Sequence, residues 1–109
     1  TSVQVIEVGR ARITGVQARD KATGALITSA GVGQLFGLEV GIRNDGGYDT
    51  IWCTAKDKDT GVILTLNDGV TTCNWYREMA KGASTTIVWN YLVMPDKTLN
   101  ILVEAGHGE

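Results

Sequence analysis

The stretch Leu38-Glu39-Val40-Gly41-Ile42-Arg43-Asn44-Asp45-Gly46-Gly47 decides the fold. Leu38, Val40 and Ile42 alternate with Glu39, Gly41 and Arg43, so a strand here has one apolar and one polar face. Asn44-Asp45-Gly46-Gly47 ends it with residue types that tolerate tight turns. The period of two then resumes. Ile51, Cys53 and Ala55 form an inner face, while Trp52, Thr54 and Lys56 point the other way.

Working toward the N-terminus, Ala11 and Ile13 start a strand that runs to Arg19, and Asp20-Lys21-Ala22-Thr23-Gly24 turns it into a return strand at 25–28. Residues 1–8 carry an apolar pattern of their own. Val3 and Val5 alternate with polar neighbours, and then Ile6 and Val8 continue one position out of phase, which is how a bulged or sheet-switching strand reads. This segment is expected to pair along a sheet edge, either its own or that of a neighbouring subunit.

Working toward the C-terminus, Asp57-Lys58-Asp59-Thr60-Gly61 turns the chain into a strand at 62–66. Asn67-Asp68-Gly69 turns it again into a strand at 70–75. Residues 74–81 are the one stretch that could pass for helix, at most a turn or two before Gly82. Residues 84–92 follow as a strand in which Ile87, Trp89 and Tyr91 share a face. Leu99, Ile101 and Val103 make the last strand. The total is about seven to nine short strands near ten-residue spacing, which predicts an all-β antiparallel sandwich or barrel. Parallel sheets need crossover helices, and none is legible. The expected core is Val40, Ile42, Ile51, Cys53, Ile87, Trp89, Ile101 and Val103, facing one another across two sheets.

Composition agrees. Thr, Val and Ile supply 32 of 109 residues, and these β-branched side chains suit a pleated surface. One domain accounts for the length. Ten basic against twelve acidic residues give a net charge of −2, without the clustered positive face that nucleic acid requires. No apolar run approaches a membrane span, so membrane insertion is not expected.

The segment Ala18-Arg19-Asp20-Lys21-Ala22-Thr23-Gly24-Ala25-Leu26-Ile27-Thr28 is echoed 37 positions later by Ala55-Lys56-Asp57-Lys58-Asp59-Thr60-Gly61-Val62-Ile63-Leu64-Thr65, with six of eleven residues identical. The match fades outside this window. Two hairpins solving one turn problem in the same way account for it better than a duplication, because a true repeat extends further.

Four elements together carry a resemblance. Leu38-x-Val40-x-Ile42-x-Asn44-Asp45-Gly46 resembles the strand and turn that open many bacterial and archaeal Ig-like domains. Asp57-x-Asp59-Thr60-Gly61 resembles their next hairpin, and Met79-x-x-Gly82-x-Ser84 their turn into a Ser/Thr-rich strand. Met94-Pro95 followed by Leu99-x-Ile101-x-Val103 resembles their closing strand. The named type it resembles is the CARDB-like, adhesion-related domain, over residues 35–104. The resemblance implies an Ig-like antiparallel β-sandwich and a non-catalytic, exported role in adhesion, spacing or assembly. The segment before Leu35 is longer than a simple first strand needs, which favours a self-contained subunit of a surface filament or virion over an adhesin repeat.

Catalytic groups are sparse. His107 is the single histidine and is expected as a solvated residue of the C-terminal tail. A triad or a histidine-based metal site needs more partners. Asp20, Asp57 and Asp59 read as Asx-turn residues, since a calcium loop supplies more ligands. Neither an enzyme nor a cofactor is expected. Cys53 and Cys73 lie on separate predicted strands and are either a disulfide or two buried thiols; the exported type favours the bridge.

The side chains that point to function are aromatic. Trp52 has the opposite phase to Ile51 and Cys53, and of the adjacent Trp75 and Tyr76 at least one faces outward. An exposed aromatic strip holds either a second subunit or a sugar ring, or some of these rings simply cap the ends of the sandwich. The expected partner is an identical subunit or a neighbouring structural protein, with a glycan as the alternative.

Overall fold

The computed structural model describes residues 8–108, and its described residues form seven antiparallel strands and no helix. The strands are β1 (Ala11–Asp20), β2 (Leu26–Ile27), β3 (Leu35–Asn44), β4 (Asp49–Asp57), β5 (Asn74–Met79), β6 (Ser84–Val93) and β7 (Ile101–His107). A four-stranded sheet, in the order β2-β1-β3-β6, packs on a three-stranded sheet, in the order β5-β4-β7. The chain is a β-sandwich.

Alternation puts Val40, Ile42, Ile51, Cys53 and Ala55 at the centre, all fully buried, with Ile87 and Trp89 nearly so. These come from β3 and β4, the middle strands, and from β6. Ile101 and Val103 also point inward, but both stay partly exposed. β6 and β7 are both edge strands, and the difference lies in what closes each side: Met79, Trp75 and Trp89 fill the β5–β6 side, whereas smaller side chains, Ile13, Val103 and Ala105, line the β1–β7 side.

Asn44 fixes one end of the sandwich. It is fully buried, and its amide spends every hydrogen-bonding group. Oδ1 accepts from the N–H of Arg10 and of Gly46, each at 3.0 Å, and Nδ2 donates to the carbonyls of Gly47 and Met79, each at 2.9 Å. One side chain thus ties the lead-in to β1, the β3–β4 turn and the end of β5.

The two echoed segments form the same turn. In the first, the N–H of Asp20 donates to Ala25 and that of Gly24 to Asp20; in the second, that of Asp57 donates to Val62 and that of Gly61 to Asp57. Gly24 (φ 72°) and Gly61 (φ 74°) hold the left-handed position that both turns require. Asx bonds from the N–H of Ala22 to Asp20 and of Asp59 to Asp57 complete them.

Four expectations are corrected. Residues 62–66 do not form a strand, and the strand expected at 70–75 begins only at Asn74; 62–66 and 70–73 contribute only the bridges Lys56–Ile63 and Thr65–Thr72 around the tight turn at Gly69. Residues 74–79 are strand rather than helix. The free edge of β4 pairs with them from Asp49–Met79 to Thr54–Asn74, and tertiary pairing overrides local helix preference. Tyr91 does not share the inner face with Trp89. A bulge sets Asn90 and Tyr91 against Gly37 alone, so Leu92 turns inward and Tyr91 meets the ammonium of Lys21, 5.0 Å from the ring centroid. His107 is no tail residue: it closes β7, with Nδ1 3.3 Å from Oδ2 of Asp49.

Candidate functional site

The outer face of the three-stranded sheet carries a shallow groove of about 730 Å³, lined by Thr50, Trp52 and Thr54 of β4, Asn74, Tyr76, Arg77 and Glu78 of β5, and Gly108 beyond β7. Strand register builds it. Thr50 pairs with Glu78, Trp52 with Tyr76 and Thr54 with Asn74, and cross-strand partners share a face. Trp52 and Tyr76 are therefore side by side, and Tyr76 is 74% exposed.

Trp52 is held down from its other side. Gly106 is its partner on β7, and a Cβ there would come within 2.5 Å of the indole. The ring occupies the space that glycine leaves over the backbone. Tyr48, 67% exposed, reaches the groove only through Glu78: its hydroxyl donates to Oε2 of Glu78 at 2.7 Å, which raises the Tyr48 pKa because the neutral phenol is the donor. Below Trp52, Oγ1 of Thr54 is buried with no hydrogen-bond partner, and Lys56 pairs with Glu104 at 2.9 Å beyond it.

Of the three predicted patch residues, the fold brings two together. Trp75 goes to the other face. It stands opposite Cys53, packs against the core, and lies under the guanidinium of Arg77, 5.4 Å from its ring centroid. A strand cannot put both Trp75 and Tyr76 on one face. Tyr48 was missed because it sits in a turn where strand phase gives no signal. Gly106 was missed because a glycine advertises nothing about what lies on it.

Of the predicted N-terminal pairing residues, Val3, Val5 and Ile6 lie outside the described residues. Val8 is described: it is exposed, it is in no strand, and its carbonyl accepts from the N–H of Gly47 at 2.9 Å.

Cys53 and Cys73 are free thiols, both fully buried. Register explains this outcome. Cys53 pairs with Trp75, and the Ala55 N–H donates to Cys73, so the cysteines are diagonal rather than facing. Diagonal neighbours lie about 7–8 Å apart, beyond the Cα spacing of about 4.4–6.8 Å that a disulfide needs. Burial pushes both thiols up to about 11.

Among the described residues no group of three or more His, Cys, Asp or Glu could hold a metal ion, and no helix is long and apolar enough to cross a membrane. The chain matches no protein-family model, no curated protein and no solved structure.

Proposed function

We propose that this protein is a non-enzymatic structural subunit of an extracellular filament or virion surface, an Ig-like sandwich that packs against identical copies. The observation that carries this reading is the Trp52–Tyr76 face. Two large aromatic rings lie side by side on the outer surface of a sheet, and Tyr76 is mostly in water. Aromatic residues of this kind are enriched where protein surfaces meet. Placement outside the cell is supported by the resemblance of residues 35–104 to exported domains of the CARDB-like type.

Light scattering across a dilution series tests the reading. The expected result is a mass that rises with concentration above the 11.7 kDa of one chain. A constant 11.7 kDa at every concentration would count against it.

A glycan-binding module is the second reading, favoured by one further observation. Polar side chains, Thr50, Asn74 and Glu78, line the groove around Trp52 and Tyr76, an aromatic floor with hydrogen-bonding walls of the kind a sugar ring needs. A glycan screen with W52A and Y76A separates the two readings. Glycan capture lost in both variants, from a chain that stays monomeric, supports the second.

A further inference from the structure

The two lateral sides of the sandwich are finished differently. On the β5–β6 side, Met79, Ile87 and Trp89 are buried, Trp75 packs behind them, and Arg77 turns its charge inward at the sheet edge, Nη1 3.5 Å from Oγ1 of Thr85 on the other sheet. An inward charge on an edge strand blocks the addition of another strand. On the β1–β7 side nothing comparable among the described residues covers the core. Ile13, Ile101, Val103 and Ala105 point inward but are partly exposed. Val16 is 48% exposed although its partner on β3, Val40, is fully buried. The seam deepens at one end into an apolar pocket of about 110 Å³, whose lining includes Ala18, Phe36, Leu99 and Ile101.

The sheets account for this gap. Four strands face three: β7 packs opposite β1, and the unfilled place lies beyond the free edge of β7, on the side where β2 covers only Ala18 and Arg19 of β1. The edge of β7 is the receptive one: Ile101–His107 contains no proline, bulge or inward lysine or arginine. The edge of β1, by contrast, is bulged between Ile13 and Gly15 and is already paired with β2 at Ala18 and Arg19.

We infer that the β1–β7 seam receives residues 1–7 of a second copy of this chain as an eighth strand, added to the free edge of β7, with Val3 and Val5 covering Val16 and Val103. This rests on the structural-subunit reading above and adds to its aromatic face a second, head-to-tail interface between copies. The segment is long enough: seven residues of strand reach about 23 Å, the length of β7 itself. Its Val3-x-Val5 alternation offers one apolar face to the seam.

The donor comes from another copy because the chain's own lead-in is committed elsewhere. The carbonyls of Arg10 and Val8 accept from the N–H groups of Asp45 and Gly47, continuing the line of β1 past its start. The N–H of Gly9 donates to Asp49 Oδ2 at 2.9 Å, and that of Arg10 to Asn44 Oδ1. Residues 8–10 continue β1 in this way and contain no turn that leads back toward β7. One copy's segment in the next copy's seam is a heterologous contact, which propagates head to tail.

The test uses two full-length variants. Val5→Asp spoils the donor and leaves the seam intact; Val16→Asp spoils the seam and leaves the donor intact. By light scattering each alone is expected to stay at 11.7 kDa at concentrations where the natural sequence assembles. An equimolar mixture is expected to double that mass and stop, since one good donor meets one good seam. If both variants assemble like the natural sequence, the seam inference falls and the structural-subunit reading stands. If the natural sequence is monomeric throughout, both fall. Should Val16→Asp lose its fold by circular dichroism, calorimetry of Val5→Asp against a synthetic peptide of residues 1–8 decides: one-to-one binding is expected, and no binding overturns the inference.

Discussion

The indole of Trp52 lies against the bare backbone of Gly106, its cross-strand partner on β7, where even a single methyl group would come within 2.5 Å of the ring. This contact, rather than exposure alone, holds the aromatic groove flat. Gly106→Ala must displace the ring or the strand. The expected cost is about 1–3 kcal/mol of unfolding free energy. In a Trp52→Ala background the same change should cost a few tenths of that, because nothing remains to clash with. Denaturant melts of the four-member cycle check this, and an equal cost in both backgrounds would refute the contact.

Asn44 makes the largest single prediction for stability. Asn44→Ala leaves four backbone groups at one end of the sandwich without the amide that satisfies them. At about 1–3 kcal/mol per orphaned group, partly relieved by entering water, the loss should be at least about 3 kcal/mol. Asn44→Asp keeps the acceptor but sets a carboxylate against the carbonyls of Gly47 and Met79, so it should be no better than alanine. Thermal unfolding measures both.

The two thiols should be silent in the native protein. With both buried and shifted to about 11, a maleimide at neutral pH should add no mass to the folded chain. In denaturant without reductant it should add two labels. No label under those conditions would mean a bridge, contrary to the diagonal register.

Acid should weaken the fold through its turn carboxylates. Asp57 is held below the ordinary range first by the Lys97 ammonium, 2.5 Å away, and Asp45 by Arg12 and Arg43. Asp49 is lowered mainly by the N–H groups of Gly9 and Thr50. A carboxyl with a depressed folded-state pKa stabilises the fold above its unfolded pKa, near about 4, and loses that contribution as pH falls through the folded value. The melting temperature should therefore be nearly level from neutral pH down to about 5 and then fall. Asp57→Asn should flatten part of that fall. An acid limb unchanged in Asp57→Asn would show that the Lys97 pair contributes nothing to it.

The strands were legible wherever burial is one-sided. Leu38-x-Val40-x-Ile42 and Ile51-x-Cys53-x-Ala55 state their phase directly, because a slip of one residue would put every apolar side chain in water. The turn at Asp20–Gly24 and its echo at Asp57–Gly61 were equally plain, since aspartate and glycine are local solutions to a local geometry. Tyr91 and Leu92 were not legible, because their phase depends on a bulge opposite Gly37 of another strand. Nor was the strand at Asn74–Met79, whose local preferences are weak and whose partner is β4.

The sequence by itself determined the all-β class, the two central strands, the outward phase of Trp52 and the chemistry of the turns. Each depends on neighbours within a few residues, and short-range sterics and a period of two express those fully. Only the tertiary structure decided which residues from different strands meet. It set Tyr76 beside Trp52 and sent Trp75 inward, made Cys53 and Cys73 diagonal, and left β7 at an edge with Val16 half bare opposite it. Those outcomes turn on register and strand order, which hydrogen bonds between distant segments fix and which no local stretch of the chain contains.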